Sequence, residues 1–249
     1  MEANVNLLLI YDVLLSKYNN QKWWPGETPF EVIIGAILTQ SVSWTNVEKA
    51  IKNLKEEGIL DPDSFHKKEV SEIAPLIKSS LYYNEKAKKI KNFINFFFDE
   101  YDGSIKKMSD EDIIILRQKL LKIKGLGEET VDSILLYACD KPIFVVDAYT
   151  KRIFSRFGFF KETTSYKDIQ LFFMGNLPRN IKLYNDYHAQ IVHLGKNICK
   201  NLPKCNLCPI RELNDTMKCQ YADNKIYASS SSKKKRGTIK KIRYPKAGF

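Results

Sequence analysis

The chain has 249 residues, 44% hydrophobic and 28% charged, enough to bury one sizeable core or two smaller ones sharing a cleft. Its formal net charge of +11 points to a polyanionic partner, but nine lysines and arginines with no acid among them follow Asn224, leaving only +2 for residues 1–223. No stretch is long and apolar enough to span a bilayer and Met1-Glu2 lacks the basic start of a signal peptide, so a cytoplasmic, nucleoid-associated protein is expected, with its five cysteines reduced and any cluster of them suited to metal rather than disulfides.

The dominant hydrophobic period is helical. Asn4 to Tyr18 reads as an amphipathic helix with Leu7, Leu8, Ile10, Leu14 and Leu15 as its apolar contribution. Phe30, Ile33, Ile34, Ile37 and Leu38 recur at the spacing of one helix face, as do Val47, Ile51 and Leu54, and then Ile90, Phe93, Ile94, Phe97 and Phe98. Asp102-Gly103 ends a helix, and Ser109-Asp110-Glu111-Asp112 has the pattern of a capping box opening the next. Val131, Ile134, Leu135 and Ala138 make another stripe, and further helices are expected near 148–157, 166–176 and 183–199. With no strand pair and no long-period repeat, the expected fold class is all-α. Ser229 to Ser232 followed by Lys233-Lys234-Lys235-Arg236 reads as a flexible basic tail over 223–249, either solubilising or drawn to phosphates in a salt-sensitive way.

The most informative stretch is Leu116 to Asp147: a helix, a Gly125-Leu126-Gly127 turn, a second helix, and an aspartate closing the run Pro142-Ile143-Phe144-Val145-Val146. A glycine on each side of one apolar residue lets the backbone turn with N–H groups exposed at a helix start, which suits a phosphate. Ile123-Lys124-Gly125-Leu126-Gly127, Val145-Val146-Asp147 and a cysteine cluster near the C-terminus together resemble the helix-hairpin-helix DNA glycosylases of the endonuclease III superfamily, over about 23–219.

That resemblance implies two helical domains flanking a DNA-binding cleft: a six-helix barrel over 23–133, and a second domain from 1–22 plus 134–222. Double-stranded DNA containing a damaged base is then the partner of what is expected to be a monomer. Asp147 becomes the catalytic carboxylate, because cleaving a base from deoxyribose builds positive charge on the sugar, which a fixed anion stabilises. The same aspartate is also a good helix N-cap. Superfamily members that cut the strand carry a lysine where Glu129 stands. A carboxylate cannot form a Schiff base, so the departure implies a monofunctional enzyme that uses water. Glu129 itself reads as a first-turn acid favoured by the helix dipole.

Trp23-Trp24-Pro25, with Ile37-Leu38-Thr39-Gln40, resembles the 3-methyladenine branch. An indole face attracts a cationic alkylated purine, although either Trp can equally fill core space. Gln40 is at the position of a plug for the gap left by a flipped base. The segment 187–196 resembles the superfamily's C-terminal helix; no catalytic role is assigned to His188 or His193, and Lys196 reads as a surface residue. Cys199, Cys205, Cys208 and Cys219 are soft ligands for iron–sulfur or zinc, and the resemblance selects a [4Fe-4S] cluster. Five residues separate the first pair and ten the last. Cys139 reads as core. A mismatch or oxidised-base glycosylase, and a DNA-binding module without catalysis, are the competing functions; loss of turnover with retained DNA affinity on Asp147→Asn separates enzyme from binder.

Overall fold

The computed structural model describes residues 6–214 and 217–222; the basic tail over 223–249 lies outside the described residues. The architecture is helical. Helix α1 (Leu7–Tyr18) starts at Asn6, whose Oδ1 accepts the Leu9 N–H at 3.0 Å. Thr28 caps α2 (Pro29–Leu38), which has proline in the first turn where its missing N–H costs nothing, and nearly every residue of this helix is buried. Next come α3 (Trp44–Glu56), the short α4 (Pro62–Lys67) and α5 (Val70–Leu76), a single 3₁₀ turn over Lys78–Ser80, and the long α6 (Tyr83–Tyr101). Then follow α7 (Ile105–Asp110), α8 (Ile113–Leu121), α9 (Glu128–Tyr137), α10 (Ala148–Phe157), α11 (Tyr166–Asn176) and α12 (Ile181–Asn197).

Three details differ from the sequence reading. The cap before α8 is Asp112, which accepts the N–H groups of Ile114 and Ile115; Ser109 lies inside α7, a helix the periodicity did not announce. Asp112 wins because its carboxylate reaches two orphan donors directly. The last long helix begins at Ile181 because Asn180 caps it, its side chain accepting the Leu183 N–H at 2.9 Å. Strands β1 (Glu212–Asn214) and β2 (Met217–Lys218) form a small antiparallel pair, too short for any alternation to show.

Helix α2 packs against α3, α6 and α9, α4 and α5 lie against α6, and α8 lies against α9. Helix α12 packs against α1, α10 and α9 and so links the first and tenth helices to α9. Where α10 meets α12, a Cβ at Gly195 would come within 2.5 Å of the Tyr149 ring, so this crossing needs a residue without a side chain. The buried core is continuous from Leu7 to Met217.

Two buried charges fix the geometry around the hairpin. Lys86 donates from α6 to the carbonyls of Leu38 and Ser80, which ties the end of α2 to the turn before α6; burial lowers its pKa to about 8. Asp132 on α9, 0% exposed, accepts Arg117 Nε at 2.7 Å and Nη2 at 3.0 Å, the Tyr166 hydroxyl at 2.8 Å and Gln170 Nε2 at 2.7 Å. Tyr166 also meets the Val146 N–H at 3.3 Å, and Gln170 donates to the Phe144 carbonyl at 2.7 Å. The extended segment leading to Asp147 is therefore held by side chains of α11, as buried backbone groups require.

Candidate active site

Asp147 is the N-cap of α10, and its carboxylate is 10% exposed. Oδ1 accepts the Thr150 N–H at 2.6 Å and the Thr150 hydroxyl at 2.8 Å. Oδ2 lies 3.6 Å from His188 Nε2. Burial alone would raise the pKa of this carboxyl; the contacts with His188 and Thr150 outweigh it and hold the group below the ordinary value. The structure thus gives Asp147 the capping position and an ionised second oxygen at once.

Around it stand residues that no sequence spacing brings together. Tyr137 at the end of α9 shares a 2.5 Å hydrogen bond with His188 Nδ1. Burial, reinforced by the Asp147 charge, pushes the Tyr137 phenol well above its ordinary value, so it stays protonated. The Tyr137 ring is 5.3 Å from Trp24, and Trp24 meets Trp44 edge-on at 5.3 Å and Trp23 at 5.5 Å. Trp24 also rests on Gly35 of α2. Trp23 and Trp24 are joined by a cis peptide bond. The sequence reading missed Trp44 and Tyr137 as members of this cluster; the apolar face of α3 and the core stripe of α9 gave no sign of them. A hollow of ≈ 200 Å³ opens beside Trp24 and Trp44, lined also by Glu31 and Glu48, but none of its walls is Asp147, His188 or Tyr137.

Glu129, in the first turn of α9, is open to solvent yet sits deep among protein mass. Burial, then the negative charge of Asp147, raises its carboxyl to about 7, and His188 opposes the shift. The Asp147 charge therefore acts on it, beyond the helix-dipole role that its sequence position suggested.

The hairpin lies alongside. Gly125 has φ +100°, a conformation that costs only glycine nothing. Leu126 turns inward and its N–H donates to the Ile123 carbonyl, while Gly127 starts α9 with no side chain capping it. The first-turn amides of α9 are thus uncapped from within the protein. Gln40 reaches this turn: its Nε2 donates to the Gly125 carbonyl at 3.1 Å and to Thr130 Oγ1 at 2.9 Å, and Lys89 Nζ donates to its Oε1 at 2.6 Å. Beside it, across the Lys86 bridge, Leu81 and Tyr82 are 51% and 71% exposed, and both have positive φ. Large side chains held outward in the left-handed region are uncommon, and nothing in the sequence reading had singled them out.

Cys199, Cys205, Cys208 and Cys219 line one small hollow with Arg156, Arg211 and Tyr221. Arg156 Nη1 donates to Cys199 Sγ at 3.3 Å, and Arg152 Nε donates to the Cys199 carbonyl at 2.8 Å. Burial pushes the Cys208 thiol up to about 12, with Cys199, Cys219 and Cys205 adding to the shift. Among the described residues no three metal-binding side chains are close enough to hold a single ion. Cys139 is buried in the core, as its helix position suggested.

An uncapped helical hairpin beside a buried aspartate, in an all-helical fold, fits a base-excision DNA repair protein. Residues 34–179 match the family described as HhH-GPD superfamily base excision DNA repair protein, and the chain belongs to this helix-hairpin-helix, endonuclease III-like superfamily of DNA glycosylases. It is 47% identical over 205 residues to the candidate DNA repair glycosylase MJ1434 of Methanocaldococcus jannaschii, covering 82% of this chain and 93% of that one. It is 30% identical over 181 residues to endonuclease III of Thermotoga maritima, covering 72% and 79%. Among solved structures it is similar to the H. pylori 3-methyladenine DNA glycosylase MagIII bound to 1,N6-ethenoadenine, with a TM-score of 0.67 and 29% identity over 76% of this chain and 94% of that one. An endonuclease III–DNA covalent intermediate shares the fold, with a TM-score of 0.74, 22% identity, and coverage of 89% and 99%. No helix among the described residues is long and apolar enough to cross a membrane.

Proposed function

We propose that the chain is a monofunctional DNA glycosylase that releases an alkylated purine, such as 3-methyladenine, from double-stranded DNA by hydrolysis. The observation that carries this reading is the pairing of a buried, ionised Asp147 with Glu129, a carboxylate where strand cleavage would need an amine. As the C1′–N bond breaks, its electron pair leaves with the base and positive charge grows on the sugar. Asp147 Oδ2 stabilises that charge and takes a proton from the water whose oxygen bonds to C1′. A cationic purine leaves as a neutral base and needs no acid. The Trp23, Trp24 and Trp44 rings supply faces for it, each worth about 0.5–2 kcal/mol to a cation. The likeness to MagIII supports this substrate class.

In this reading 23–133 forms the barrel domain, and 1–22 with 134–222 the second domain of a monomer. The amides at Gly125, Gly127 and the start of α9 hold a phosphate, with Leu126 anchoring the turn in the core. Gln40 fills the gap left by the flipped base, and exposed Leu81 and Tyr82 wedge the duplex beside it. The four cysteines suit a [4Fe-4S] cluster and would be its ligands: soft donors line one hollow rimmed by arginines that suit an anionic cluster. When bound, the cluster ties together the loop from Cys199 to Cys219; Arg152 and Arg156 dock that loop on α10.

The test uses duplexes bearing a 3-methyladenine analogue, an oxidised pyrimidine, a G·T or an A·8-oxoguanine mismatch, with free base and strand nicking measured separately. Release of the alkylated base without nicking is expected. Borohydride-trapped adducts would overturn the monofunctional reading, preference for another lesion the substrate, and no release from any duplex the enzymatic reading.

A further inference from the structure

His188 lies where the reaction needs a partner for Asp147 and does not yet make a hydrogen bond to it. Its imidazole is 6% exposed, its Nδ1 is engaged by the Tyr137 hydroxyl, and its Nε2 is buried with no hydrogen-bond partner, 3.6 Å from Asp147 Oδ2. A buried polar atom left unpaired is costly and uncommon. Thr150 occupies Oδ1 with both its donors, so Oδ2 is the oxygen left to face a sugar and a water.

The ring's tautomer follows from its neighbours. Tyr137 stays protonated, and its O–H can donate to a bare Nδ1, which leaves the ring proton on Nε2. The reverse arrangement would aim a bare Nε2 lone pair at a carboxylate oxygen, which is repulsive. Of the two neutral tautomers, only the first satisfies both ends.

We propose that His188 is a positioning residue for Asp147: Tyr137 fixes its tautomer, and its Nε2–H closes on Oδ2 in the DNA complex, holding the carboxylate toward the sugar. Catalytic hydrogen bonds that are long in a free enzyme and tighten on substrate are a recurring pattern. The assignment rests on the glycosylase reading of Asp147. It also links the aromatic cluster to the carboxylate, because the Tyr137 that orients His188 is the same ring that packs on Trp24.

The first measurement needs no activity. The chain has three histidines, so ¹⁵N-histidine spectra of the full protein, with His188→Gln to assign the signal, report the tautomer directly. A proton on Nε2 is expected at neutral pH, and a proton on Nδ1 would overturn the proposal. The second is single-turnover base release alongside DNA affinity. His188→Leu, which keeps volume without a donor, is expected to lower the rate by about 10²-fold, as a misplaced catalytic group does, with affinity unchanged. His188→Gln places an amide N–H near Nε2 and is expected to recover most of that loss. Tyr137→Phe is expected to slow the wild type but to add nothing to His188→Leu.

Equal loss in the Gln and Leu variants, or additive loss with Tyr137→Phe, would overturn the role. If His188→Leu does not fold, the Gln and Tyr137→Phe variants and the spectra decide. If the wild type releases no base from any lesion, the glycosylase reading falls, and the tautomer alone judges the contact with Asp147.

Discussion

Asparagine at position 147 separates the capping role seen in the fold from the catalytic role proposed for the aspartate. Its side-chain carbonyl can still accept the Thr150 N–H and hydroxyl that Oδ1 accepts now at 2.6 and 2.8 Å, so the α10 cap survives and stability at pH 7 falls by less than about 1 kcal/mol. Asp147→Ala loses both bonds and is expected to cost about 1–2 kcal/mol. What asparagine lacks is charge at Oδ2. Removing one preorganised group that faces developing charge costs about 2.7–4 kcal/mol, or 10²–10³-fold in the chemical step. The sign of the pH dependence follows from the depressed pKa. A carboxyl held below its ordinary value contributes stability that is present above that value, and loses it as pH falls through the folded pKa. The stability difference between wild type and Asp147→Asn is therefore flat from neutral pH to about pH 5 and shrinks below about pH 4. Single-turnover base release, DNA affinity at fixed salt and urea unfolding at both ends of this range measure the three quantities. Base release within a factor of about three of wild type, against the expected 10²-fold, would refute the catalytic assignment. Loss of DNA affinity in step with rate would refute the separation.

Glu129→Gln is expected to act in the opposite pH sense. A carboxyl raised from 4.5 to about 7 contributes most stability below its ordinary value and loses it as pH rises through 7, so the variant should melt higher than wild type above pH 7 and equally below pH 4.5; parallel curves would contradict this. Asp132→Ala removes the acceptor that Arg117, Tyr166 and Gln170 share, leaving Arg117 only the longer contact to Glu128 and Gln170 only the Phe144 carbonyl, and is expected to cost about 3–5 kcal/mol in urea unfolding; a cost under about 1 kcal/mol would remove Asp132 as a keystone. Cys208→Ser is expected to abolish bound iron and visible absorbance and to lower the melting temperature, whereas Cys139→Ser keeps both. Unchanged iron in the Cys208 variant, or none in anaerobically purified wild type, would sink the cluster.

The helical stripes, the Gly125-Leu126-Gly127 turn and the capping aspartate were legible in sequence because each is local: a period of 3.6, a left-handed glycine, an acceptor one residue before a helix. The caps at Asp112 and Asn180 shifted boundaries because several polar residues competed for each helix start. The Tyr137–His188–Asp147 group was not legible. Asp147 alone was, whereas Tyr137 on α9 and His188 on α12 each look, along their own helices, like ordinary core residues that only packing brings to it. Trp44 and Asp132 were hidden for the same reason, since only the packing of α2 on α3 and α9, and of α8 on α9, reveals their partners. Leu81 and Tyr82 stand out only once their φ and exposure are known.

The segment from Pro142 to Val146 has no regular secondary structure, and its peptide groups at Phe144 and Val146 lean on Gln170 and Tyr166, 26 and 20 residues downstream. The aim of the Asp147 carboxylate is thus set from beneath by α11, a helix that does not itself touch it. Substitutions in α11 that leave the DNA surface untouched would then behave as slow-turnover alleles, with normal affinity and a misaligned Asp147. The amide exchange rate of Val146 would report such slackening before any assay of the lesion did.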